Sequence, residues 1–195
     1  MDNNTYNLQR YNRKKLWYRV GLGAQQLVNY PILNVIWILY VAGVWLLMFL
    51  KQKIILGIET ITIFEPIFKG CMNFVVIYFS IICIIVILWE IGQITARRDE
   101  ANMEIVFGNE RIVKKQNPIL ISKKIMKRKG VVIREFYTVI PMARWQDKKD
   151  DICDIFNIHL VEDIKYGKSN GNRIVIKSAK DRLQKDRGLI YDDTF

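Results

Sequence analysis

Hydrophobic positions along this chain follow three different periods. Ile32 to Leu50 and Cys71 to Trp89 are apolar runs of 19 residues each, broken only by Asn34 in the first and by Asn73 and Ser80 in the second, with no charge in either. A helix rises ~1.5 Å per residue, so ~20 residues cross a hydrocarbon core of ~30 Å, and a soluble core helix would carry a polar stripe. Each run is therefore expected to span a membrane. From Glu90 to Ile105 good helix formers follow, with no Gly or Pro between Gly92 and Gly108, which predicts that the second span continues as a rigid stalk. Past Asn117-Pro118 the period becomes two. Ile119 to Lys127 and Val131 to Val139, joined around Lys129-Gly130, predict a hairpin with Ile119, Ile121 and Ile125 on one face and Lys124 on the other.

Pro141 suits the first turn of a helix, and Met142, Trp145, Ile152 and Phe156 then recur on one face, predicting a helix from about Pro141 to Phe156. Trp145 reads as its core anchor rather than as a platform for stacking bases. Ile158, Leu160, Ile164 and Tyr166 share a parity, as do Ile174, Ile176 and Ser178 after Asn170-Gly171, a second hairpin with a type I′ turn. The expected fold class is an α+β membrane protein, a two-helix transmembrane hairpin followed by a small cytoplasmic ββαββ domain near the lower limit for independent folding. Its divisions are a basic segment 1–30, the transmembrane hairpin 31–93 (spans 32–50 and 71–89, loop 51–70), a stalk 94–116 and the α+β domain 117–195.

Charge sets the orientation. Arg10, Arg13, Lys14, Lys15 and Arg19 precede the first span and Arg97 and Arg98 follow the second, against only Lys51, Lys53 and Lys69 between them. The positive-inside rule then places both ends in the cytoplasm of a multi-pass protein of the cell membrane. The first run lacks a short basic n-region before it and a cleavage site after it, so it reads as an anchor, not a signal peptide. Arg13, Lys14, Lys15, Trp17, Tyr18, Trp89, Arg97 and Arg98 are the expected interface residues, with Trp17 and Tyr18 in either a short amphipathic lead-in on the inner leaflet or a solvated basic arm. Of the net charge of +11, nine Lys and Arg fall between Arg111 and Arg134 with no acid among them. Lys123, Lys124, Lys127, Arg128 and Lys129 are the candidate phosphate contacts. Anionic lipid and nucleic acid both fit them, and a hairpin held away from the bilayer by a stalk favours nucleic acid.

Several chemistries lack their residues. Gly167-Lys168-Ser169 imitates the end of a phosphate-binding loop, but Glu162 stands where that loop needs its first Gly. Leu189 to Asp193 imitates a strand ending in a magnesium-binding acid without a nucleotide to serve. One histidine, His159, and three scattered cysteines, Cys71, Cys83 and Cys153, suggest no zinc site, structural disulfide or nucleophilic triad. The chain by itself reads as no enzyme, with no cofactor. The loop Lys51 to Gly70 is too short for an external ligand-binding domain.

The order of parts, with Asn117-Pro118-Ile119-Leu120-Ile121, Ile140-Pro141, Trp145, Asp154-Ile155-Phe156-Asn157-Ile158, Gly171-Asn172-Arg173-Ile174-Val175-Ile176 and Arg187-Gly188-Leu189-Ile190-Tyr191-Asp192-Asp193, resembles a known arrangement. It is that of the N-terminal region of FtsK/SpoIIIE-like DNA translocases of the TcpA type, coupling proteins of Gram-positive conjugation. The resemblance implies a membrane anchor and assembly domain for conjugative, type IV secretion-like DNA transfer. It also implies a hexamer, with DNA, relaxase and secretion-channel proteins as partners, and ATP and magnesium bound only by a motor domain absent from this chain. On that expectation the chain is a fragment or a truncated relative. The alternative is a membrane scaffold or regulator of an envelope machine that does not bind DNA.

Overall fold

A computed structural model describes residues 3–57, 64–108, 116–167 and 172–180. Helix α1 (Asn3–Asn29) passes through a 3-10 turn (Pro31–Asn34) into α2 (Val35–Gly57), and α3 (Glu65–Phe107) returns alongside both. Pro31 makes the break: it donates no N–H, and its ring pushes Tyr30 out of helical geometry, to φ −130° and ψ 86°. Arg19 meets Gln93 and Glu100, Tyr40 meets Ser80, and Lys51 meets Asn73, so residues 3–57 run antiparallel to α3 along its length.

Helix α2 has no buried residue, and α3 has none before Ile91. Both are long and apolar enough to cross a membrane by length and composition. At ~1.5 Å per residue the 43 residues of α3 extend roughly 64 Å, about twice a bilayer core. Its second part differs in kind, because Ala96, Asp99, Met103, Val106 and Phe107 recur at helical spacing and are buried. The described part of the expected stalk is thus helical as far as Phe107, but it is the central helix of the α+β unit rather than a free spacer.

The basic amino-terminal segment departs furthest from expectation. It is a helix of 27 residues, not a short lead-in, and it docks along the polar part of α3. Its buried stripe is Arg19, Leu22, Gly23 and Gln26, an i, i+3, i+4, i+7 series with a single large apolar member, so hydrophobic patterning passes over it. Glycines set the crossing. A Cβ on Gly23 would lie 1.8 Å from the Leu88 carbonyl oxygen, and one on Gly92 1.9 Å from that of Arg19. The two backbones are in contact, which only residues without a side chain allow.

Strands β1 (Ile119–Met126), β2 (Val131–Tyr137), β3 (Ile158–Leu160), β4 (Lys165–Tyr166) and β5 (Arg173–Lys180) form an antiparallel sheet ordered β1-β2-β5-β3, with β4 also on β5. The expected helix to Phe156 is two, α4 (Met142–Asp147) and α5 (Lys149–Phe156), parted at Lys148. The partner strand of the second hairpin is likewise split: Val161–Ile164 intervene between β3 and β4 opposite only Ile176 and Lys177. The Asn170-Gly171 turn, Arg111, Lys114, Lys115, Lys168, Ser169 and Leu189–Asp193 lie outside the described residues.

The shared face expected for Ile119, Ile121 and Ile125 does not hold. Pairing shifts between Leu120 and Ser122, a bulge at Ile121 that reverses the parity of everything after it. Ile119 and Leu120 are both fully buried, and Lys123 turns toward α3. Trp145 is the core anchor it was expected to be, fully buried with its ring 4.8 Å from that of Phe107 on α3 and 6.0 Å from that of Phe136 on β2.

Candidate polyanion interface

β1 is an edge strand, with backbone groups on one side that β2 cannot satisfy. Helices satisfy those at Leu120 and Lys123. The Leu120 N–H donates to Glu100 Oε1 at 3.0 Å and the Lys123 N–H to Gln25 Oε1 at 2.9 Å, while Asn29 Nδ2 donates to the Lys123 carbonyl at 2.7 Å. An open edge invites pairing with another chain, and here α1 and α3 close it. Tyr11 adds a bond from its hydroxyl to the Asn117 carbonyl at 2.7 Å. Burial, reinforced by the Glu100 carboxylate, pushes that phenol well above its usual range, so it remains a donor.

These contacts fix the direction of β1. Residues 117, 122 and 123 meet Tyr11, Gln25 and Asn29 in that order, so β1 runs beside α1 in the same sense and its far end arrives where α1 gives way to the first apolar run. The turn Lys127–Lys129, closed by Gly130 at φ 63°, borders a shallow groove of about 500 Å³ whose other wall is Val28, Asn29 and Pro31.

The five candidate phosphate contacts therefore divide. Lys127, Arg128 and Lys129 are exposed on the turn, and Lys124 is exposed on the strand before it. Lys123 is half-buried, with its ammonium 2.8 Å from Asp99 Oδ2. Arg134, directly opposite Lys123 in the ladder, brings its Nε to 3.2 Å from the same oxygen and donates from Nη1 to Ser178 Oγ at 2.7 Å. Two cations facing each other across a ladder repel, and the buried Asp99 between them turns the pair into a closed triad.

Three of the expected interface residues have partners within the protein. Lys14 donates to the Tyr137 hydroxyl at 2.8 Å, Tyr18 packs on the Tyr137 ring at 5.8 Å, and Lys15 lies 3.5 Å from Glu100. Arg13, Trp17, Arg97 and Arg98 are exposed, and Trp89 is half-buried at the end of the second apolar run. Fourteen residues, ~21 Å of helix, separate Trp17 from Pro31. Glu100 is a joint that sequence reading missed: it accepts from the buried Arg19 and from Leu120, tying α1, α3 and β1 together.

A groove of about 700 Å³ between α5 and the β3–β4 segment brings Cys153 and His159 into one lining with Asp150 and Asp154. The sequence did not suggest that proximity. Burial, then the Asp150 carboxylate, pushes the Cys153 thiol up, which is opposite to the activation a nucleophilic thiolate needs. Among the described residues no group of His, Cys, Asp and Glu is placed to hold a metal ion.

Fold and surface together define a class, a helical hairpin with two long apolar arms that carries a small antiparallel α+β unit with a basic turn. No family model matches the chain, and no curated protein matches it. Among solved structures it is similar to the monomer form of the pCW3 conjugation coupling protein TcpA with ATPγS, at 22% identity and a TM-score of 0.37. That match covers 43% of this chain and 23% of the other, so it spans less than a quarter of that protein's length.

Proposed function

We propose that the chain is the membrane anchor and assembly region of a conjugative coupling protein of the FtsK/SpoIIIE-like type, with both ends on the cytoplasmic side. The observation that carries the anchoring part is α3 itself, unbroken from Glu65 to Phe107, apolar along its first part and buried in the core of the α+β unit along its second. A helix continuous through both leaves no hinge between membrane and domain, and α1, in backbone contact at Gly23 and Gly92, stiffens the joint. The coupling-protein part rests on the order of motifs in the sequence. In this reading the chain assembles as a homo-oligomer, a hexamer by resemblance, beside channel and relaxase proteins, and an ATP-driven motor domain moves the DNA.

One observation favours the alternative of a scaffold that never meets DNA: Lys123, one of the five candidate phosphate contacts, is committed to Asp99. Deleting the gene from a plasmid-bearing donor separates the two. Loss of transfer, restored by the intact gene, is the expected result. Unchanged transfer together with an envelope defect would leave the scaffold.

A further inference from the structure

We infer that the Lys127–Lys129 turn docks on anionic phospholipid headgroups and presses the α+β unit against the inner leaflet. The inference rests on the membrane reading above and goes beyond it in naming what the turn touches. Asn29 holds the carbonyl of Lys123, and Lys127 lies only four residues further along a strand that rises ~3.3 Å per residue. That strand points the way α1 points, so the turn lies beside Pro31, where the first apolar run opens.

The composition of the surface fits that level. Val28, 81% exposed, stands on the helical wall, Ile32 at the start of the first apolar run is 79% exposed, and Met126, 42% exposed, leads into the basic turn. Apolar side chains below three cations match the acyl and phosphate layers of an inner leaflet. None of the three cations has a carboxylate partner among the ion pairs of the described residues, whereas Lys123, further from the apolar runs, is paired with Asp99. A duplex in place of lipid would have to lie against Val28 and Met126, which offer its phosphates nothing. The nucleic-acid expectation assumed a stalk that lifts the hairpin off the bilayer, and β1 instead descends beside α1 toward the apolar end.

The test uses the full chain in nanodiscs of phosphatidylcholine alone and of phosphatidylcholine mixed with phosphatidylglycerol, read by amide hydrogen exchange. Anionic lipid should slow exchange across residues 126–132 by between about tenfold and a hundredfold relative to neutral lipid, an effect removed by high salt and by a Lys127→Gln, Arg128→Gln, Lys129→Gln variant. Exchange across 119–122 should be the same in the variant, showing that it folds. Equal exchange at the turn in both lipids would overturn the docking, as would slowing that appears only when duplex DNA is added. Protection of 35–50 and 71–89 in both lipids reports the spans separately: without it the membrane reading falls and takes the docking with it.

Discussion

Gly23 and Asp99 are the two positions at which one atom decides most. A methyl on Gly23 has the Leu88 carbonyl in its place, so Gly23→Ala must part α1 from α3. Overpacking of this kind costs about 1–3 kcal/mol, and the unfolding midpoint in detergent should fall accordingly, with α1 becoming the first site of proteolysis. Gly21→Ala, with open space around it inside the same helix, is the control that should not lower the midpoint and, because Ala favours a helix over Gly by about 0.5–1 kcal/mol, should raise it slightly. Asp99 neutralises two half-buried to buried cations at once. Asp99→Asn leaves Lys123 and Arg134 facing each other without a carboxylate, and by the usual cost of breaking a buried pair should destabilise by about 3–5 kcal/mol in denaturant unfolding. A variant with Lys123→Met added should recover part of that loss, because it removes one of the stranded charges.

The β3–β4 segment carries ion pairs that make it depend on pH. Its extra residues are braced by ion pairs: Glu162 with Lys177 at 2.7 Å and Lys165 at 3.2 Å, and Asp163 with Lys149 at 2.6 Å. Hydrogen bonds from Lys177 and then Lys165 hold the Glu162 carboxyl below its usual range, and one from Lys149 does the same for Asp163. A depressed carboxyl contributes stability above its unfolded pKa and loses it as pH falls through the folded one, so the brace should loosen on acidification below the ordinary carboxylate range. Lys149 is raised by the same bond, and its share should fade only at pH above the ordinary lysine range. Exchange of the Val161 amide, bonded to the Lys177 carbonyl at 2.9 Å, is the readout. The Lys165 and Lys149 pairs are exposed and the Lys177 pair is half-buried, so salt should weaken the brace in the same direction, and constancy in both acid and salt would mean that the backbone bonds alone hold the segment.

At the scale of the whole molecule, α1 couples the apolar arms to the sheet. Removing residues 1–29 strips the partners from the β1 edge at Lys123 and uncovers Leu22's side of the core, so the shortened protein should associate through its sheets. Light scattering of the shortened and intact proteins in the same detergent checks this, and a monodisperse shortened protein would mean that Glu100 suffices to guard the edge. Much of the architecture is written in local pattern. The two apolar runs, the helix through Ile105, the Lys129-Gly130 turn and the Trp145 anchor follow from periods of 3.6 and 2 and from single residues whose preferences are strong. The docking of α1 was not legible that way, since its buried stripe is made of Arg19, Gly23 and Gln26, residues that read as exposed until a partner exists; its one local sign was the pair of small residues Gly92 and Ala96 on α3. Nor could the sequence separate Lys123 from Lys127. The bulge at Ile121 turned the first inward to Asp99, and the direction of β1 beside α1 set the second at the apolar boundary. Sequence by itself determined the two apolar arms, the helix that continues the second of them and the first hairpin, because each depends on neighbours along the chain. Only the tertiary structure decided which charges face one another and which remain free, because that depends on register and on which elements meet.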